Sequence, residues 1–139
     1  MGKMNASRVI LGGIVAGIVA NVLEYLLHEV ILKAEHAEAM KALGKTMPEG
    51  GSTIVVWLIY GFAWGIATIA LYAGIRPRFG PGPMTAIRAA VLSWFLGSFL
   101  MGVAMWNMTV MAFSGTTAVG ELVIAIVATL AGAAVYKEA

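Results

Sequence analysis

The sequence predicts an all-α fold: an integral membrane four-helix bundle in which the first span continues as a helix on the extracytoplasmic side. Three observations predict it. Of the 139 residues, 60% are hydrophobic and only 12% are charged, which lies outside ordinary soluble composition. The apolar residues gather into four runs, at about 9–32, 54–73, 86–108 and 119–136, each long enough to cross a bilayer. Between them stand stretches that break helices, KTMPEGGST at 45–53 and GIRPRFGPGP at 74–83. Residues 1–139 therefore read as a single transmembrane domain with its long outer connection at 33–53.

The first run follows a short basic segment carrying Lys3 and Arg8. A cleaved leader has a shorter apolar stretch and a small-residue cleavage site, whereas this run keeps Asn21, Glu24 and His28 in its second half, so an uncleaved helix is expected. At about 100° per residue, Gly13, Gly17, Ala20, Glu24 and His28 share one narrow face with Asn21 at its edge. Leu11, Val15, Ile18, Val22 and Leu26 line the other side. Aliphatic side chains suit lipid, small residues admit a second backbone and ionisable ones need partners, so the Gly/Glu/His face is expected to point inward. Past it, residues 29–43 stay helix-like with Lys33, Glu35, His36, Glu38 and Lys41, either projecting from the membrane or bending along its surface, and Gly44 is the expected stop.

The second run repeats Gly61 and Gly65 as a GxxxG pair, a pattern that permits close helix contact. The prolines, glycines and arginines of 74–83 are expected to end that helix and form a tight basic connection. Thr85 is placed to cap the third span, one side of which, mostly small and polar, holds Ser93, Gly97, Leu100, Ala104 and Asn107. The turn before the fourth span falls within 109–117, Glu121 lies in that span's first turn, and Ala125, Ala128 and Gly132 form its small face. Tyr72 and Tyr136 close spans two and four as Arg8 and Arg88 open spans one and three, a faint echo between two helical hairpins.

Lys3, Arg8, Arg76, Arg78, Arg88 and Lys137 fall on one side of the predicted membrane and Lys33, Lys41 and Lys45 on the other, which favours cytoplasmic N and C termini. With no cysteine there is neither a disulfide framework nor a thiolate metal site. The net charge of +2 comes with no basic stripe, so nucleic acid is excluded as a partner; lipids, other membrane subunits or further copies of the chain remain.

The segments Lys41-Ala42-Leu43-Gly44-Lys45-Thr46-Met47-Pro48 and GIRPRFGPGP, the latter preceded by Ala70-Leu71-Tyr72-Ala73, resemble a family of uncharacterised four-helix bacterial membrane proteins over nearly the whole chain. The resemblance implies a bacterial inner-membrane location and the same four-span layout, and it supplies no catalytic residue.

Counted at about 1.5 Å per residue from Arg8, Glu24 lies roughly 24 Å and His28 roughly 30 Å along the first span. Asn107, Glu121 and Tyr60 reach a similar height on the other three. Asn21, Glu24, His28, Tyr60, Asn107 and Glu121 thus form a candidate polar pocket in the outer third of the bundle, narrowed below by packing glycines at Gly13, Gly17, Gly61, Gly65, Gly97 and Gly132. Three readings are open. Glu24 and His28 can satisfy each other at i,i+4; they can form a cation or proton site; or, with Glu35 and His36, they can bind a metal. The last is disfavoured because His28 and His36 lie about 12 Å apart along a straight helix, so they share an ion only if the chain bends between them. No metal and no cofactor is therefore assigned, and Glu29, Glu35, His36 and Glu38 read as a solvated face. With no Ser/His/Asp, nucleotide-loop or catalytic carboxylate pattern, the expectation is a non-enzymatic accessory subunit or homo-oligomer. The alternative is a small transporter or cation/proton-binding protein using Glu24.

Overall fold

In a computed structural model the chain is described over residues 3–46 and 50–138, and its regular structure is all helical, with no strand among those residues. Residues 47–49, the centre of the expected outer loop, lie outside them. Helix α1 (Ala6–Tyr25) starts at Asn5, whose side-chain oxygen accepts from the Arg8 amide. It passes into a π-helical stretch at Leu26–Ile31 and, after a break at Leu32, into α2 (Lys33–Ala42), which stops at Gly44 with a positive φ of 70°. α3 covers Gly51–Phe79; α4 (Pro83–Trp94), a second π-helical stretch (Phe95–Phe99) and α5 (Leu100–Asn107) make one rod; α6 covers Gly115–Val135. Four helices, Ala6–Ile31, Gly51–Phe79, Pro83–Asn107 and Gly115–Val135, are long and apolar enough to span a membrane.

Several boundaries differ from those the sequence predicts. The GIRPRF segment does not end the second helix. α3 runs through Gly74 and Pro77 to Phe79, Pro77 forgoing its own intrahelical bond, and the stop falls instead at Gly80, with φ of 80°. Thr85 does not cap its own helix, which begins two residues earlier on Pro83; its hydroxyl donates to the carbonyls of Gly80 (2.8 Å) and Phe79 (3.3 Å), so it satisfies the end of the preceding helix. The fourth helix starts at Gly115 under a Ser114 cap, which sets Glu121 in its second turn, deeper than expected.

The first span is the centre of the bundle and packs most extensively on α3 and α6. Glycines bring the backbones together. A Cβ on Gly13 would stand 2.5 Å from the Ile66 Cα, one on Gly17 would stand 2.9 Å from the Phe62 Cα, and one on Gly65 would strike the carbonyl of Gly13. Gly61 makes room for the Asn21 side chain, whose amide donates to the Leu58 carbonyl at 3.3 Å. On the other flank Gly12 meets Gly132, where a Cβ would lie 2.5 Å from the Gly12 carbonyl oxygen. Gly97, expected at such a contact, has open space around its α-carbon; it sits in the second π-helical stretch.

The two ends of the bundle differ in chemistry. At one end Tyr72 and Tyr136 meet edge to face at 5.8 Å, their hydroxyls accepting from the amides of Gly82 and Asn5. There Arg76 lies over the Tyr136 ring and pairs with Glu138 at 3.4 Å. The two tyrosines of the sequence echo are thus direct neighbours. The other end holds both histidines, the connection out of α2 and the loop 108–114, and Lys45 ties them by donating to the carbonyls of Thr109 and Val110, both at 2.8 Å.

Candidate functional site

Leu27 and Leu32 decide the geometry of the histidine end. Both are buried, in a cluster with Ala20, Ile124 and Ala128. A regular α-helix would turn these two residues, five apart, well away from each other. The π-helical bond from the Leu32 amide to the Leu27 carbonyl, 2.8 Å, brings them onto one side, and the chain then bends to restart as α2. Leu27 seats against Gly120, where a Cβ would approach its side chain to 2.8 Å. The residues next in sequence, His28 and Glu121, are thereby set beside each other from two different spans.

His28 is the hub. Its Nε2 lies 3.0 Å from a Glu24 carboxylate oxygen one helical turn earlier and 3.9 Å from a Glu121 oxygen. Donor atoms of Glu24, His28 and Glu121 all fall within 4.8 Å of one another. Glu121 is the most buried of the three, and its second oxygen, Oε2, is shut off from solvent without a hydrogen-bond partner. On its other side the His28 Nδ1 faces the Nδ1 of His36 at 3.4 Å, the rings stacked with centroids 5.0 Å apart. The His36 Nε2 meets the Thr117 hydroxyl at 3.4 Å, and that hydroxyl is 3.1 Å from the one on Ser114. A chain of polar contacts therefore runs from the cap of α6 through both histidines to the two carboxylates. Burial and the neighbouring His28 both lower the His36 pKa from its ordinary 6.5. A lowered folded-state value means that whatever His36 adds to stability is held as the neutral ring and is lost as pH falls through 6.5 and below.

The predicted pocket residues divide into two groups. Glu24, His28 and Glu121 come together as one site. Asn21 lies on the same face but serves the contact with α3. Tyr60 stands edge-on to Trp57, is 49% exposed, and lies within electrostatic reach of Glu121 and Glu24, while Asn107 is exposed at the end of α5 and, among the described residues, hydrogen bonds to none of the cluster. His36 is not part of a merely solvated face: the bend at Leu32 closes the distance that separates the histidines on a straight helix. Thr117, Ser114 and Gly120 are further contributors that sequence reasoning missed. Ser114 followed three residues later by Thr117, ahead of an apolar run, is a readable helix start; the Gly120 contact leaves no comparable mark.

Comparison of the chain with known protein families, with curated proteins and with solved structures gives no match.

Proposed function

We propose that this is a multi-pass membrane protein that binds a cation, or takes up and releases a proton, in the pocket formed by Glu24, His28 and Glu121, and that it performs no covalent chemistry. The basic residues at the tyrosine end support an orientation with both termini in the cytoplasm and the pocket facing outward. One observation carries the reading: two carboxylates and an imidazole from two spans converge, and a Glu121 oxygen is buried without a partner. Among the described residues the lysine and arginine ion pairs go elsewhere, Lys33 to Glu29 and Arg76 to Glu138. Counted as ionised, the two carboxylates exceed the charge of even a protonated His28, and a membrane-embedded site makes that imbalance expensive.

Thermal unfolding of the detergent-purified chain across Na⁺, K⁺, Mg²⁺, Ca²⁺, Mn²⁺ and Zn²⁺, and across pH 5–8, tests this. At least one cation or the pH series is expected to raise the midpoint of the wild type and to leave a Glu24→Gln/Glu121→Gln double variant unmoved. A wild type indifferent to every condition overturns the reading.

A second reading, an accessory subunit or homo-oligomer, is favoured by α5, which packs mainly on its own preceding π-helical stretch and leaves Leu100, Met101 and Trp106 exposed. It is distinguished by co-purification with a larger partner and by indifference to Glu24→Gln.

A further inference from the structure

The pocket's donor set narrows its occupant. Resting on the cation reading above, we infer that the ligand is a divalent transition-metal ion of the zinc class, held by the Glu24 carboxylate, the Nε2 of His28 and the Glu121 carboxylate, with His36 as the positioning residue behind His28.

Charge is the first ground. A proton or a monovalent ion leaves two carboxylates and a neutral imidazole with net negative charge, whereas a divalent ion cancels it. Ligand type is the second. Magnesium and calcium call for oxygen donors, calcium six to eight of them; an imidazole between two carboxylates suits the harder end of the zinc, manganese and iron range. Geometry is the third. Ligands about 2.0–2.2 Å from a tetrahedral zinc stand roughly 3.3–3.6 Å from one another. The two edges from the His28 Nε2, 3.0 and 3.9 Å, bracket that spacing, and the 4.8 Å limit on the remaining pair closes by side-chain rotation of the glutamates. Three protein ligands leave a fourth position for water or for exchange. Access comes from the polar end, where Glu24 and His28 are both partly exposed.

The contacts behind His28 fit the role of a metal-site support. An ion on Nε2 requires the ring's proton on Nδ1, and that nitrogen faces the His36 Nδ1 as acceptor. His36 then carries its own proton on Nε2 and donates it to the Thr117 hydroxyl, which in turn donates to Ser114. His28, His36 and Thr117 each use one donor and one acceptor role, and Ser114 ends the series as an acceptor of both the Thr117 hydroxyl and the Thr117 amide. Any proton already on the His28 Nε2 leaves to water as the ion binds.

The test is titration of the chelator-stripped, detergent-purified chain with Zn²⁺ by calorimetry, and with Co²⁺ by its visible absorption. One ion per chain is expected, with the intense bands of four-coordinate cobalt and one imidazole by X-ray absorption of the zinc form. His28→Gln and Glu121→Gln are expected to weaken zinc more than 100-fold. His36→Ala is expected to weaken it roughly 10- to 100-fold and to steepen its loss at low pH, and His36→Asn, whose amide oxygen falls near the position of Nδ1, is expected to recover much of it. The absorption measurements on the wild type stand even if a variant fails to fold. Zinc binding unchanged in His28→Gln, or a metal spectrum without imidazole, overturns the inference. Stabilisation by Na⁺, Ca²⁺ or protons with no zinc preference overturns it while leaving the cation reading intact, and indifference to every cation removes both.

Discussion

Each glycine on the first span's inner face replaces a side chain with another helix's backbone, so its energetic role depends wholly on what stands opposite. Gly65 lies against the backbone of Gly13 and Gly17, and Gly97 against open space. Gly65→Leu is therefore expected to destabilise the bundle by about 3 kcal/mol, the upper part of the range for overpacking, and Gly97→Leu by less than about 0.5 kcal/mol. Unfolding midpoints of the two variants check this, and equal losses would contradict the assignment of Gly97 to an open position. The seam formed by Gly13, Gly17, Gly61 and Gly65 is legible in the sequence because these residues recur at helical spacing within neighbouring spans. Gly12 is not, since it falls outside that narrow face and its partner Gly132 lies at the far end of the chain. Glu24 and His28 are legible for the same reason of spacing, and Glu121 because a carboxylate in an apolar span stands out. His36 looks solvated in sequence because nothing in residues 29–43 announces a bend.

That bend belongs to the scale of the element. A π-helical turn absorbs one residue of register without a diagnostic composition, so the stretch Leu26–Ile31 reads as ordinary helix from its pattern. Its cause becomes visible only when Leu27 and Leu32 are seen to be buried together, five residues apart. Leu32, 3% exposed, is thus the anchor that holds α2 and His36 against the bundle. Leu32→Ala is expected to cost about 2 kcal/mol, taken up chiefly by local opening. Hydrogen exchange should quicken across Lys33–Ala42 while α1, α3 and α6 stay protected; uniform acceleration through all four spans would instead make Leu32 part of the global core. The continuation of α3 through Pro77 is the converse case, in which a helix-breaking composition was legible but its strength was not. Proline forgoes a single amide donor, and α3 ends two residues past it in any case.

For the molecule as a whole, the absence of native cysteine allows single probes to be placed without background. Glu38 and Arg78 are both exposed, one in α2 at the histidine end and the other at the C-terminus of α3. With a membrane-impermeant thiol reagent on intact cells, Glu38→Cys is expected to label and Arg78→Cys to label only after the membrane is opened; the reverse pattern would invert the proposed orientation. The number of spans was legible in four apolar runs, yet their arrangement was not, because hydropathy says nothing about which helix is central. That central place falls to the first span, whose two flanks meet the second and the fourth. Order of synthesis and order of contact are consequently mismatched among these four helices: the one made first completes its surroundings with the one made last. Until Gly115–Val135 has been made, Gly12 has no Gly132 opposite it and Glu24 and His28 have no Glu121, so the three preceding helices hold that polar face open to whatever accompanies them during folding.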